Sequence, residues 1–311
     1  MKLIRSLDSL HLAKSVITIG NFDGIHLGHQ RLLQQLQQNK IKYELPSVVI
    51  IFEPQPLEYF LRHKSHARLM TIRQKLEKFS CYDIDYVVCL KFNPQLANLD
   101  AEIFIRQILM QKLNVNHLII GDDFSFGRNC SGDFSLLKQY ADKNQFQLTK
   151  IDTMRIGGFR VSSSLIREAL ATDDFAAAAR LLGHRYTMSG KVAHGDRRGR
   201  ELGFPTANIY LRHNVMPITG VFITKIWGLT KLPLTAITNI GQRPTFTDGR
   251  FVLEAHIIDF NRNIYGKRIE VEFLHKIRSE SKFSSAAQLT KQIELDILSA
   301  KKFISSGTRT K

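Results

Sequence analysis

Short apolar runs alternate with helix-length segments through the first half of this chain, and few folds accommodate that alternation. The apolar runs are rich in β-branched residues, as in strands buried on both faces, and lie at 16–20, 47–52, 85–91 and 117–121. Segments with apolar residues near helical spacing lie between them, at 28–39, 71–80 and 101–113. The pattern predicts a parallel sheet covered on both sides, with ligands bound beyond the carboxyl ends of its strands.

The pattern changes after a pair of helices predicted at 163–170 and 173–182. From about 186 to 275 the chain consists of strand-like runs separated by turn residues: VFITKIW, LTAITNI, FVLEAHIIDF and RIEVEFL. These runs predict a compact, barrel-like all-β domain. A closing helix follows, with Ser285 and Gln288 at the spacing of a capping box. We therefore expect an α/β domain at 1–183 and an all-β domain with a terminal helix at 184–311.

Composition is that of an ordinary globular protein. The 311 residues suffice for two domains, and 43% of them are hydrophobic and 23% charged. No apolar run reaches the roughly 18 residues that a transmembrane helix requires, and charges interrupt the amino-terminal segment. We therefore expect a cytoplasmic protein without a membrane partner. The three cysteines form no CxxC pair and are expected to be reduced.

The charge balance is strongly basic and favours anionic ligands. Lys and Arg number 44 against 28 Asp and Glu, which gives a formal net charge of +16. Such a surface attracts nucleotides, nucleic acids and acidic membranes alike. The basic residues are nevertheless dispersed, and the densest stretch is Arg197, Arg198, Gly199 and Arg200. A nucleic-acid arm usually contains a block of like charges, so nucleic acid is not the expected partner.

A glycine-rich turn, GNFDGIHLGH, runs from Gly20 to His29 directly after the first predicted strand. Glycines at such a turn let a phosphate approach the backbone, and the helix start supplies free N–H groups and the positive end of its dipole. His26 and His29, three residues apart, can add donors to the same anion. The alternative interpretation is that the two histidines only cap or pack the turn.

Two further segments carry residues suited to a nucleotide. Ser162, Ser163 and Ser164 open a predicted helix, and such serines are usually only caps. Arg167 opposes the helix dipole in the first turn of that helix, and a bound anion would remove the conflict. Asp123, in GDDFSFG after another strand, has oxygens that suit a base, a ribose or a flavin, or simply an Asx turn.

The second half of the chain contains its own candidate phosphate site, GKVAHGDRRGRELGFPTAN. A flexible, basic, glycine-rich segment can wrap a phosphate, although barrel turns also collect glycine. The candidate phosphate-binding residues are Gly190, Lys191, His194, Gly195, Arg200 and Gly203. Thr206 and Asn208 then offer two neutral oxygen donors on one side of an extended segment. Mg²⁺ prefers few protein oxygens plus substrate phosphate, so this pair is the predicted metal site.

These motifs together resemble those of the bacterial bifunctional riboflavin kinase/FAD synthetases. HxGH, SSxxIR and GxDFxFG are similar to that family's adenylyltransferase motifs, and PTAN with TNIGQRPTF to its riboflavin kinase motifs. The resemblance spans nearly the whole chain. It implies a Rossmann-like α/β nucleotidyltransferase domain that converts FMN to FAD, and a β-barrel kinase domain that converts riboflavin to FMN. Both reactions would use ATP and Mg²⁺.

The resemblance also implies roles for individual residues. His26 and His29 would be catalytic and hold the triphosphate, and Asn21 and Asp123 would line the nucleotide or flavin pocket. Further contacts to ATP phosphates would come from Gly20, Phe22, Gly28, Ser162, Ser163, Ser164 and Arg167. Glu254, in the strand LEAHIIDF, falls at the family's catalytic glutamate. Without the flanking motifs it would be interpreted as a salt-bridged strand residue.

Two positions depart from the family pattern. The family has a histidine in its FxPHP loop and a threonine in SSTxIR, where this chain has Gln55 and Ser164. Ser164 keeps the hydroxyl. Gln55 removes a titratable group, which argues against an acid, base or charge role there. Adenylyl transfer needs no base in any case, because the attacking FMN phosphate is mostly dianionic near neutral pH, with a second pKa around 6.

Two other functions are compatible with parts of the sequence. An adenylyl- or cytidylyltransferase acting on another phosphate would also use HxGH, but it would not need PTAN or Glu254. A basic RNA-binding or structural protein would bind RNA in a salt-sensitive way without turning over ATP. The oligomeric state is left open by the sequence.

Overall fold

The computed structural model describes residues 1–61, 66–144, 146–195, 198–211, 215–242 and 251–307. The chain divides into two compact units, Met1–Leu165 and Ile166–Lys311. The boundary expected at 183/184 stays a prediction, because compactness does not by itself delimit a folding module. Among the described helices, none is both long and apolar enough to cross a bilayer.

The first unit is built on a six-stranded parallel sheet. Its strands are β1 (Lys2–Ile4), β2 (Ser15–Ile19), β3 (Ser47–Glu53), β4 (Tyr86–Lys91), β5 (Val115–Gly121) and β6 (Gln147–Ile151). They lie in the order β1-β4-β3-β2-β5-β6, and every neighbouring pair is parallel. The winding direction of the chain therefore reverses between β2 and β5, where such sheets bind ligands. The predicted parallel sheet is confirmed, and β1 and β6 extend it beyond the four predicted strands.

Helices and a small hairpin complete the first unit. The helices are α1 (Leu27–Tyr43), α2 (Pro56–Leu61), α3 (Ile72–Ser80), α4 (Pro94–Ala97), α5 (Ala101–Ile103) and α6 (Phe134–Asn144). The segment predicted as one helix at 101–113 begins as α5 and continues as a π-helix through Phe104–Lys112. A two-stranded hairpin, β7 (Arg155–Ile156) and β8 (Phe159–Arg160), follows the last strand of the sheet.

The central strand β2 shows why these strands are continuous apolar runs. All five of its residues are buried. Ile17 and Ile19 belong to one apolar cluster, whereas Val16 belongs to another that also contains Leu33 and Leu36 of α1. Because successive side chains of a strand point to opposite faces, each face of the sheet carries its own core. The sheet is thus covered on both sides, as predicted.

The second unit is an antiparallel, nearly closed barrel. The helix α7 (Ser163–Ala171), which spans the boundary between the units, and α8 (Phe175–Leu182) precede it. The short helix α9 (Arg198–Glu201) lies between the first two barrel strands, and α10 (Ala286–Gly307) follows the last one. Its strands are β9 (Thr187–Lys191), β10 (Ala207–Leu211), β11 (Gly220–Trp227), β12 (Leu234–Gln242), β13 (Phe251–Ile257) and β14 (Arg268–Arg278). They lie in the order β10-β13-β12-β11-β14-β9. A bridge between Ala193 and Asn208 links the two end strands and confirms the barrel-like prediction.

The terminal helix α10 packs on the outside of this barrel, as predicted. Ala300 is fully buried in a cluster with Val221 and Ile223 of β11. An ion pair anchors the same helix, because Arg278 at the end of β14 donates to the buried carboxylate of Asp296 at 2.9 Å. The helix therefore adds to the hydrophobic core of the second unit.

Candidate functional sites

The turn after β2 brings the backbone sharply into α1. Phe22, Gly24 and Ile25 all have positive φ, at 49°, 85° and 42°. The Phe22 side chain is fully buried and packs against His29 and Phe79, with ring centroids 5.0 and 5.4 Å away. Only the main chain of Phe22 can therefore face a phosphate, and its ring supports His29.

The two predicted histidines stack at the start of α1. His26 is the N-cap, and its Nδ1 accepts a hydrogen bond from the His29 N–H at 3.4 Å. The two imidazole centroids lie 3.7 Å apart, and a side chain on Gly28 would press against His26, with its Cβ 3.2 Å from that ring. The capping interpretation therefore holds for His26. Because Nδ1 accepts, the neutral ring carries its proton on Nε2, which can still donate to an anion.

Both imidazoles are uncharged near neutral pH. Burial lowers the pKa of His26 to about 4, although the carboxylate of Asp23 opposes this shift. Burial also holds the pKa of His29 well below its usual range, and the neighbouring His26 and Lys75 lower it further. Nδ1 of His29 is buried and has no hydrogen-bond partner among the described residues. The pair thus presents neutral donors to an anion.

A polar layer beneath this turn was not predicted from the sequence. The carboxylate of Asp23 accepts the N–H groups of Leu69 and Met70, each at 3.1 Å. The ammonium of Lys75 donates to the Asn21 carbonyl at 2.7 Å, and only 2% of this lysine is exposed. Burial lowers the pKa of Lys75. Lys75 follows Ile72 by three residues and so lies on the apolar face of α3, and this spacing is the sequence signal that could have indicated its burial.

The serine motif joins the same site. Ser162 accepts the N–H of Leu165 at 3.2 Å and so acts as the predicted cap. The hydroxyl of Ser163 donates to the Asp23 carbonyl at 2.8 Å, which ties the start of α7 to the turn after β2. Ser164 is exposed, and Arg167 follows it on α7 within one helical turn. Two of the three motifs predicted for the first domain are therefore in direct contact.

The GDDFSFG segment adds charges at the same end of the sheet. Asp122, not Asp123, forms the local turn contacts, because it accepts the N–H of Thr153 at 3.0 Å and its hydroxyl at 2.7 Å. Asp123 is exposed and forms an ion pair with Arg160 of β8. The carboxylate of Asp123 raises the pKa of His26, whereas the guanidinium of Arg160 lowers it. Arg160 is thus a second cation that sequence reasoning missed.

Gln55, where the family pattern has histidine, lies just after β3. Its N–H donates to Glu58 at 3.0 Å, and its side chain is buried. The amide nitrogen Nε2 has no hydrogen-bond partner within the described ranges. Arg68 binds both Glu53, at 2.7 Å, and Glu58 beside it. Gln55 thus offers a neutral donor without a titratable group.

In the second unit, Glu254 and Asn208, one of the two predicted metal ligands, share one face of the barrel. Glu254 on β13 lies directly opposite Asn208 on β10. Directly opposed residues in antiparallel strands point to the same face. Asn208 is buried, and its amide donates to the Thr206 carbonyl at 3.3 Å. A Cβ added to Gly195 would lie only 2.6 Å from the Asn208 amide, so this glycine allows the loop to pack directly on Asn208.

The other predicted phosphate-binding residues occupy different environments. Gly190 is buried in β9, where a Cβ would lie 2.1 Å from Ile209, and Lys191 beside it is exposed. His194 is exposed and stacks on Tyr265 at 3.8 Å. Gly203, with φ of 87°, and Arg200 on α9 are also exposed. Gly190 therefore serves barrel packing, whereas the exposed residues are open to a ligand. Arg197 lies outside the described residues. So do residues 243–250, the first four of which are the RPTF end of TNIGQRPTF.

Together these features define a class of protein. One unit is a parallel α/β sheet with an HxGH turn at its strand-order reversal. The other is a barrel whose glycine-rich loop packs on Asn208, directly opposite Glu254. The combination describes a two-module transferase that uses nucleotides. A family model for FAD synthetase matches residues 8–165, and one for riboflavin kinase matches residues 182–304. The chain therefore belongs to the family of bifunctional riboflavin kinases/FMN adenylyltransferases.

Individual relatives agree with this assignment. The bifunctional riboflavin kinase/FMN adenylyltransferase of Escherichia coli (strain K12) is 45% identical over 97% of this chain and 98% of the relative. The Haemophilus influenzae protein of the same description is 43% identical over 98% of this chain and all of the relative. Among solved structures, a protein described as a macrolide-efflux protein from Streptococcus pneumoniae has a TM-score of 0.79 and 28% identity. The match covers 96% of this chain and 98% of that one.

Proposed function

We propose that each reaction of this bifunctional enzyme is carried out within one compact unit. The chain is a riboflavin kinase and an FMN adenylyltransferase, with riboflavin, FMN and ATP as its substrates. The first unit would adenylylate FMN, and the second would phosphorylate riboflavin. The observation that carries this proposal is that each unit contains its own constellation, the stacked histidines in one and the Glu254–Asn208 pair in the other.

In the first unit the residues would position and stabilise phosphates without removing a proton. FMN attacks the α-phosphorus of ATP with an oxygen that is already charged, and pyrophosphate leaves. His26 and His29 would donate to the departing phosphates, together with the free N–H groups at the start of α1. Arg160 of the same unit would supply the positive charge that the neutral imidazoles lack, and Arg167, on the helix that Ser163 begins, stays a predicted phosphate contact. Asn21 and Asp123 stay the proposed nucleotide or flavin contacts.

In the second unit a proton must leave, because riboflavin attacks with a neutral 5′-hydroxyl. Glu254 would accept this proton as the hydroxyl oxygen bonds to the γ-phosphorus and ADP departs. The exposed residues of the glycine-rich loop would cover the triphosphate.

Thr206 and Asn208 are two neutral oxygen donors, which fits Mg²⁺ that takes its remaining ligands from water and phosphate. When bound, Mg²⁺ would neutralise charge on the phosphates. Among the described residues no cluster of three or more His, Cys, Asp or Glu side chains offers a different metal site. A cytoplasmic location stays a prediction.

Chromatography of reaction mixtures tests this function directly. Purified protein would be incubated with riboflavin, ATP and Mg²⁺, and separately with FMN, ATP and Mg²⁺; samples without ATP serve as controls. We expect FMN and then FAD from the first mixture, and FAD with pyrophosphate from the second. Absence of FMN in the first mixture would refute the kinase assignment, and absence of FAD in the second would refute the adenylyltransferase assignment.

A further inference from the structure

Asn239 has an unused oxygen beside the proposed base of the kinase site. It lies on β12 directly opposite Glu254, as Asn208 does on the other side, so all three side chains share one face. Its Oδ1 is buried and has no hydrogen-bond partner in the part of the chain that the structure describes. A buried acceptor without a donor is costly, and a ligand that brings a hydroxyl would remove the cost.

Glu280 fixes which way this amide points. The Asn239 Nδ2 donates to Oε1 of Glu280 at 3.1 Å. Because a carboxylate only accepts, the NH₂ group must face Glu280 and Oδ1 must face elsewhere. The carboxylate occupies the space that a side chain at position 241 would fill, since a Cβ on Gly241 would lie 1.8 Å from it. Glu280 is therefore a positioning residue for Asn239.

The strand order places Asn239 on the side of Glu254 away from the proposed metal pair. With neighbouring strands about 4.8 Å apart, Asn208 and Asn239 flank Glu254 with their backbones about 10 Å from each other. Phosphate and metal would gather at Asn208. The acceptor substrate must then approach Glu254 from the opposite side, which is the side of Asn239.

The chemistry selects one part of the substrate. Riboflavin carries its reacting 5′-hydroxyl at the end of a polyol chain, and the single proton of that hydroxyl is directed to Glu254. It cannot also be donated to Asn239. We infer that Oδ1 of Asn239 accepts a hydrogen bond from the adjacent 4′-hydroxyl, and so places the terminal hydroxyl at the base. This inference rests on the proposed kinase function.

A cycle of enzyme and substrate changes in the full chain tests this contact. The kinase kcat/KM would be measured for riboflavin and 4′-deoxyriboflavin, with wild type and Asn239→Ala. The wild type should lose about tenfold or more when the 4′-hydroxyl is removed, the effect of one hydrogen bond. Asn239→Ala should lose about as much with riboflavin, but less than about threefold with 4′-deoxyriboflavin, relative to wild type. Wild type that forms no FMN at all would refute the proposed function instead.

Two outcomes would overturn the inference: equal losses with both flavins, or an unchanged flavin preference with a shifted Mg²⁺ requirement. The second outcome would make Asn239 a metal ligand. A second pair of variants tests the positioning even where Asn239→Ala does not fold. Glu280→Gln keeps an acceptor for the amide and should retain the preference for riboflavin over 4′-deoxyriboflavin. Glu280→Ala should reduce it, and equal preference in the two variants would contradict the assignment of Glu280.

Discussion

At the scale of single residues, the adenylyltransferase site separates donors from charge. His26 is buried, His29 is half-buried, and the stacked pair is neutral near pH 7, so its contribution to a bound triphosphate would come through hydrogen bonds. Positive charge would come from guanidinium groups such as Arg160, which is already paired with Asp123 at the same edge of the sheet. Such a site would hold phosphate oxygens by fixed donors, which do not have to reorient during the reaction.

Replacement of His29 tests this arrangement. His29→Ala should lower FAD formation from supplied FMN at least tenfold, because one fixed donor to the transition state is lost. FMN formation from riboflavin should be nearly unchanged, since Glu254 lies in the other unit. Both rates would be measured on the same preparation by chromatography of the flavins. Equal loss of both activities would show that His29 serves the fold only.

Replacement of Glu254 tests the second site. A general base contributes about 10² to 10⁴ in rate, so Glu254→Gln should slow FMN formation by about that factor. Riboflavin binding should change little, because the amide keeps the shape of the carboxylate. FAD formation from added FMN is the control and should stay near that of the wild type. If kinase turnover stays above about half of the wild-type value, Glu254 is not the base.

At the scale of elements, the sequence indicates what depends on local pattern and misses what depends on distant contacts. The strands β2 to β5 were predictable because each is a buried apolar run. β1 and the β7–β8 hairpin have only two or three residues per strand, too few to show a period. Lys75 and Asp23 gain their roles only when α3 and the Leu69–Met70 backbone meet the turn after β2. No local spacing encodes that meeting.

His26 caps the start of α1 and also makes the free energy of unfolding depend on pH. The folded state keeps the pKa of His26 near 4, below the usual value of 6.5 expected in the unfolded chain. As pH falls below about 6.5, His26 therefore binds a proton in the unfolded state but stays neutral in the folded state. Stability is full above this range and decreases as pH falls towards 4, by about 2–3 kcal/mol for this group.

His26→Asn should remove much of this pH dependence, because asparagine is also a good N-cap but does not titrate. We expect its unfolding free energy to fall less than that of wild type between pH 6.5 and 4. Urea unfolding followed by circular dichroism at several pH values would measure this. His11→Asn, which removes an exposed histidine of the same unit, should behave like wild type. If the free energies of unfolding of wild type and His26→Asn changed equally with pH, the prediction would be wrong.

At the scale of the whole molecule, helix α8 before the barrel belongs to the core of the second unit. Phe175 on α8 is buried, and its ring lies 5.8 Å from Phe222 and 6.4 Å from Phe273. Leu181 and Leu182 of the same helix are buried as well. The compact unit accordingly begins at Ile166, whereas the riboflavin kinase match begins at residue 182 and the predicted domain at 184.

Two fragments distinguish these boundaries. A fragment of residues 166–311 should fold and phosphorylate riboflavin, because it keeps α8 over Phe222 and Phe273. A fragment of residues 184–311 retains Glu254 and Asn208 but exposes that aromatic surface. Loss of a buried phenylalanine costs about 3–5 kcal/mol, so the shorter fragment should unfold at a temperature at least about 10 °C lower.

Trp227, the only tryptophan in the sequence, lies in β11 and reports unfolding by fluorescence. Phe175→Ala in the longer fragment is the matched control and should reproduce much of the loss. Equal unfolding temperatures for the two fragments would place the module boundary at 183/184, as the sequence alone predicts.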